Sequence, residues 1–125
     1  MTSPRTAPVP AAGPTLSKAV LRAATILDLS QTAMAEVLGV SKATASRLAA
    51  GTYQLDPVRR KEWELALLFV RMFRSLDAVV GHGEQARTWL RGPNAALGGP
   101  PIEAIASAEG LVRVVQYLDA VRGRI

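Results

Sequence analysis

The chain has 125 residues, 49% of them hydrophobic and 20% charged, which admits one ordinary domain or two very small ones and excludes a large multidomain enzyme. Cysteine is absent and His82 is the single histidine, which excludes disulfide frameworks, thiolate zinc sites, cysteine nucleophiles and histidine-built metal centres. Fifteen basic residues against ten acidic give a net charge of +5, pointing either to a polyanionic partner such as nucleic acid or to a solvated cationic surface.

Residues 1–14 carry Pro4, Pro8, Pro10 and Pro14 among Ala, Thr and Ser, with little apolar bulk to offset ordering entropy, and read as a disordered lead-in. From Leu16 the pattern is helical. Leu16, Val20, Ala23, Ala24 and Leu27 step at i, i+3, i+4 and i+7, with Lys18 and Arg22 facing away. A second short helix follows Ser30 and stops at Leu38, where Gly39 takes the left-handed conformation; Ser41 caps a third over 42–50, closed by Gly51. Asp56-Pro57 supplies an N-cap and a first-turn proline for a fourth, the longest. Its stripe of Leu65, Leu68, Phe69, Met72, Leu76, Val79 and Val80 is widened by Leu67, Val70 and Phe73, so it is expected either to bury two faces or to serve one wide core. A second face would carry the C-terminal segment or a second subunit.

Gly81 and Gly83 break the long helix, a short one runs over 84–91, and Gly92-Pro93-Asn94 stops it. After Leu97-Gly98-Gly99-Pro100-Pro101, a helical turn is expected over 102–106. Ser107 then caps a last amphipathic helix with Leu111, Val114, Val115, Leu118 and Val121 on one face, ended by Gly123. The fold class is all-α: a tail over 1–14, a helix-turn-helix domain over 15–80 and a small helical domain over 81–125. No stretch approaches the roughly 18 apolar residues of a membrane span, and no secretory leader is legible, so a cytoplasmic protein without membrane contact is expected.

Within 29–48 the spacing is that of a helix-turn-helix. Ala35 is small where two helices cross, Gly39 makes the turn, Val40 plugs the space between helices, and Ser41 caps the helix whose first residues enter a major groove. The candidate DNA-binding residues are Gln31, Ser41, Lys42, Thr44, Ser46 and Arg47. Arg47 can pair with guanine or a phosphate, Thr44 and Ser46 can meet base edges or backbone, and Gln31 opens a helix where a phosphate can sit. Ala43 and Ala45 on the same face would read no more than a thymine methyl. The segment resembles the helix-turn-helix of Xre-type, lambda-repressor-like regulators.

The run Trp89-Leu90-Arg91-Gly92-Pro93-Asn94-Ala95-Ala96-Leu97-Gly98-Gly99-Pro100-Pro101-Ile102, followed by Ala108-Glu109-Gly110-Leu111-Val112, is similar to the toxin-binding domain of the Xre/MbcA/ParS antitoxin family. The resemblance implies a type II antitoxin whose partner is a RES-domain toxin, an NAD glycohydrolase or phosphorylase or an ADP-ribosyltransferase, and it implies repression of the chain's own operon. The residues also have architectural roles. Asn94 bonds its own turn, Gly98 and Gly99 permit positive φ, and Pro100-Pro101 starts a helix at a fixed angle. Trp89 is expected as a core anchor, Trp63 as a packing residue and His82 as a solvated or capping group.

Glu103 and Glu109 lack any nucleophile, metal cluster or phosphate-cradling loop beside them, so no catalytic residue, metal or cofactor is assigned. Neutralisation is assigned to the tip, Arg122, Gly123, Arg124 and Ile125, because a slim terminus with its carboxylate can enter a nucleotide pocket that a domain face cannot. One recognition helix makes too few contacts for operator affinity, so a homodimer on operator DNA is expected, with the fourth helix as its interface. The alternatives are a stand-alone dimeric repressor and an adaptor that binds no DNA.

Overall fold

In the computed structural model, which describes residues 12–81 and 83–123, the apolar spacing that begins at Leu16 is realised as a helix, α1, running Ala12–Ile26. The helix starts before the point that the proline content of 1–14 suggests. A loop from further along the chain supplies the reason. The Leu55 carbonyl lies over buried Gly13, where a Cβ would stand 2.2 Å from the oxygen, and the Leu55 amide donates to Ser17 Oγ at 2.9 Å. Pro14 falls in the first turn, where its missing N–H leaves nothing unsatisfied. The lead-in is therefore corrected at residues 12–14; the rest of it, 1–11, lies outside the described residues, as does His82.

Two short helices follow, α2 (Gln31–Leu38) and α3 (Lys42–Ala50), and then α4 (Arg60–Val80). Asp56-Pro57 does not open α4. Asp56 Oδ1 accepts from the Val58 amide at 2.9 Å, which closes a turn, and the helix starts at Arg60 with no side-chain cap. Arg59 is occupied instead in a small network, with its Nε 2.8 Å from Glu62 Oε1 and its guanidinium 4.7 Å above the Tyr53 ring. The Tyr53 hydroxyl also donates to Glu62, and burial together with that carboxylate raises the phenol above its usual pKa.

The second half holds α5 (Glu84–Arg91), a 3-10 turn (Ala95–Leu97), α6 (Pro101–Ala104) and α7 (Ala108–Arg122). Asn94 Oδ1 accepts from the Leu97 amide at 3.2 Å and Gly98 has φ of 77°, so the turn chemistry is as expected. The helical turn after it is displaced, running Pro101–Ala104 rather than over 102–106. Ser107 Oγ caps α7 by accepting from the Gly110 amide at 3.0 Å.

α4 buries Leu65, Phe69, Met72 and Leu76 completely or nearly so, and α1, α2, α5 and α7 all pack on it. Its broad apolar surface is the two-faced arrangement. The C-terminal segment, α7, covers the second face with Leu111, Val114, Val115 and Leu118. Val70 is thereby buried and Phe73 half-buried, and only Leu67, 48% exposed, remains of the width that suggested an external interface. One apolar core runs through both halves, each fully buried Leu or Phe contributing about 1.5–3 kcal/mol. Two polar links reinforce it. Arg87 Nη1 and Arg91 Nη2 on α5 donate to the carbonyls of Ile26 and Asp28, each at 2.8 Å, where α1 ends with Asp28 in a left-handed conformation of φ 55°.

The close approach of α6 to α7 depends on Gly110, since a Cβ there would stand 1.8 Å from the Ala104 carbonyl oxygen. Gly110→Ala is expected to lower unfolding free energy by at least about 2 kcal/mol. Gly123→Ala, at a helical φ of −67° and with only ordinary contacts, should change it by no more than about 0.5 kcal/mol; urea denaturation of the two variants checks the contrast.

Candidate functional site

The helix-turn-helix is assembled from local signals. Ser30 Oγ accepts from the Ala33 amide at 3.0 Å and opens α2. Gly39, at φ 67°, ends it, with the Val40 amide reaching back to the Ala35 carbonyl at 3.0 Å, so the chain reverses within three residues. Ala35 is buried and Val40 half-buried against the core, the positions the helix crossing requires. Ser41 then caps α3 by accepting from the Thr44 amide at 3.0 Å, and its hydroxyl donates to Thr44 Oγ1 at 2.9 Å. Arg47 Nη2 leans toward the same Thr44 oxygen at 3.4 Å.

Of the six candidate DNA-binding residues, Ser41, Thr44 and Arg47 thus form one hydrogen-bonded group. Lys42 and Ser46, four apart, share an exposed face of α3, and Gln31 is exposed at the first position of α2. The first-turn amides of both helices have no intrahelical acceptor, which favours anions there. One expectation is corrected. Ala45 is not on the reading face, because it is fully buried and packs with Leu48 under α3, while Ala43 is exposed. The outward surface of α3 is accordingly more polar than the spacing alone suggested.

At the other end of the chain, the last turn of α7 is fastened to α4. Ser75, only 2% exposed, donates from Oγ to Asp119 Oδ1 at 3.2 Å and accepts from Arg122 Nη1 at 3.4 Å, and Arg71 pairs with Asp119 from the solvent side. Arg122 therefore does not project beyond the helix: it belongs to the last turn of α7, with its guanidinium bonded back to α4. Gly123 is exposed at a helical φ, and Arg124 and Ile125 lie outside the described residues. Trp89 stacks on Tyr117 with centroids 6.2 Å apart and planes 25° apart, joining α5 to α7; it is half-buried against the core. Trp63 is likewise half-buried, on α4 itself.

Ser17, Ser75 and Asp119 were not singled out from the sequence, although a signal was present for the serines. Each is a small polar residue set within an apolar helical stripe, Ser17 between Leu16 and Val20 and Ser75 between Met72 and Leu76. A hydroxyl in such a place needs a partner, and in both cases the partner lies far along the chain. Arg87 and Arg91 had no such signal, because their acceptors are backbone carbonyls at the end of α1. Among the described residues there is no acidic or histidine group able to hold a metal, and no helix is long and apolar enough to cross a membrane.

Comparison with known proteins agrees with this arrangement. Residues 5–71 match the antitoxin Xre-like helix-turn-helix domain, and residues 75–124 match the antitoxin Xre/MbcA/ParS C-terminal toxin-binding domain. The join between the matched regions falls inside α4. No curated protein matches the chain. Among solved structures, a chain of the M. tuberculosis MbcT-MbcA toxin-antitoxin complex superposes with a TM-score of 0.63 at 24% identity, covering 88% of this chain and 96% of that one; a likeness of that degree speaks for the fold.

The cap on α3 carries its own expectation. Ser41→Ala removes the acceptor of the Thr44 amide and should cost about 1 kcal/mol in unfolding free energy. Lys42→Ala, at an exposed position, should cost no more than about 0.5 kcal/mol in the same denaturation assay.

Proposed function

The chain belongs to the antitoxins that join an Xre-like helix-turn-helix to an Xre/MbcA/ParS toxin-binding domain, and from that premise we propose that it inhibits a RES-domain toxin that consumes NAD or transfers ADP-ribose, and that as a homodimer it represses its own operon. It acts by binding and carries out no reaction itself. The observation that carries the reading is the fastened end of α7. Ser75, Asp119 and Arg122 hold the last turn of that helix against α4, and the inhibitory role is assigned to Arg122 and to the residues that follow it in sequence, Gly123, Arg124 and Ile125. A fastened helix end leaves less ordering entropy to lose there when a partner binds.

Repression uses the other end of the molecule. α3 presents Lys42, Ser46 and Arg47 outward, and the group of Ser41, Thr44 and Arg47 holds the guanidinium near the start of the helix, where a major groove is read. Gln31 and the first turn of α2 add a phosphate contact. Two such units on half-sites about one helical turn apart would supply operator affinity that one short helix lacks. The cytoplasm, where operator and NAD are both found, is the compartment this function requires.

Deleting Gly123, Arg124 and Ile125 separates the two activities. The shortened chain should keep its helical content and its DNA affinity but no longer stop NAD loss at equimolar toxin; stoichiometric inhibition by it would transfer the inhibitory role to a domain face. Arg47→Ala should weaken operator binding by about 1–3 kcal/mol in a mobility shift and leave toxin inhibition intact.

A further inference from the structure

A groove of about 720 Å³ lies where α1, α4 and the end of α7 meet. Its floor is apolar, built from Leu16, Ala19, Val70 and the half-exposed Leu67. Arg71, Arg74 and Arg122 line it against a single acid, Asp119. Two of those arginines have partners within the chain: Arg71 pairs with Asp119, and Arg122 donates to Ser75. Arg74 is exposed and, among the described residues, makes no hydrogen bond or ion pair. The site is thus an apolar trough with an excess of positive charge on its rim and one guanidinium left over.

We propose that this groove receives an acidic, partly apolar segment of the toxin, so that the helix-turn-helix half of the chain shares in toxin binding. The inference rests on the antitoxin reading and extends it, because toxin binding is assigned by family to residues 75–124 only. Thr15, Leu16, Ala19, Leu67, Val70 and Arg71 lie outside that region, whereas Ser75, Asp119, Arg122 and Gly123 lie inside it. The groove is therefore continuous with the end of α7 and would be covered by a protein already engaged there.

Charge and composition choose among occupants. An apolar floor beneath an arginine rim is the composition of a protein interface, in which arginine is enriched and the centre is depleted of charge. DNA phosphates gain nothing from Leu67 or Val70, and no residue of α2 or α3 lines the groove. A second copy of this chain fits poorly. In a two-fold pairing the same patch meets itself, which would set Arg71, Arg74 and Arg122 against their counterparts on a molecule that itself carries +5. An acidic segment of a different protein meets both requirements, with carboxylates for Arg74 and the rim and apolar side chains for the floor.

Affinity of the full-length chain for the toxin of its own operon is the test, measured with Arg74→Glu, Leu67→Asp and, as a control at the far end of α4, Arg60→Glu. Arg74 and Leu67 are exposed enough for these changes to leave the fold alone, and circular dichroism verifies it. The expected result is at least about tenfold weaker toxin binding for Arg74→Glu and for Leu67→Asp, with a shallower salt dependence for the former, and a change of no more than about twofold for Arg60→Glu. Toxin affinity within about twofold of the unsubstituted chain for both groove variants would overturn the inference while leaving the antitoxin reading in place. Loss of operator affinity without loss of toxin affinity would also overturn it and give the groove to DNA. Failure of the unsubstituted chain to bind the toxin at all would overturn the antitoxin reading, and the groove assignment with it.

Discussion

α4 must bury two faces at once, and the positions of the helix-turn-helix and of the end of α7 follow from that requirement. Phe69, Met72 and Leu76 are removed from water completely, Leu65 nearly so, and α1, α2, α5 and α7 supply the covering surfaces. Neither half has an apolar core of its own that stops at the family boundary between residues 71 and 75. A small chain buries a smaller share of its surface on folding than a larger one does, and sharing one helix between two sets of neighbours makes the most of it. The consequence is mechanical: α7 packs directly on α4, and α3 is joined to α4 through α2.

The polar contacts make that coupling specific. Arg87 and Arg91 on α5 hold the carbonyls of Ile26 and Asp28, just ahead of Ser30, the cap from which the helix-turn-helix starts. Ser75 and Asp119 tie α7 to α4 at the other end. Ser17 and Gly13 bring the loop around Leu55 down onto α1. Each of these contacts joins segments far apart in the chain, and each satisfies a buried or strained backbone or hydroxyl group that would otherwise be costly. The toxin-binding region and the helix-turn-helix, which two separate family models match, are in this way built on one shared core.

Much of this architecture was legible in the sequence because its signals are local. Ser30, Gly39, Ser41, Gly51 and Ser107 each act within a few residues, and each stands where its spacing places it. The errors occur where a local signal admits two outcomes or where the partner is distant. Asp56-Pro57 suits a turn as well as a helix start, and the turn prevails with Arg59 drawn into the network of Tyr53 and Glu62. Ala45 lies among the polar residues of α3 in sequence, which suggests an outward face, but its spacing from Leu48 puts it on the buried stripe. Proline content in 1–14 masked the start of α1, whose first turn is settled by Leu55, some forty residues away. The groove and its rim of arginines were invisible for the same reason, since it forms only when α1, α4 and α7 come together.

We propose that this chain holds an NAD-consuming enzyme inactive through stoichiometric binding. Its most direct test is to recover the chain from its native host with whatever it binds, dissociate the complex, and follow NAD after the chain is removed and again after it is restored. The account predicts a single partner at a fixed ratio, rapid loss of NAD once that partner is freed, and arrest of the loss when the chain is added back. Recovery of the chain with DNA alone, or of a partner that leaves NAD untouched when free, would contradict it.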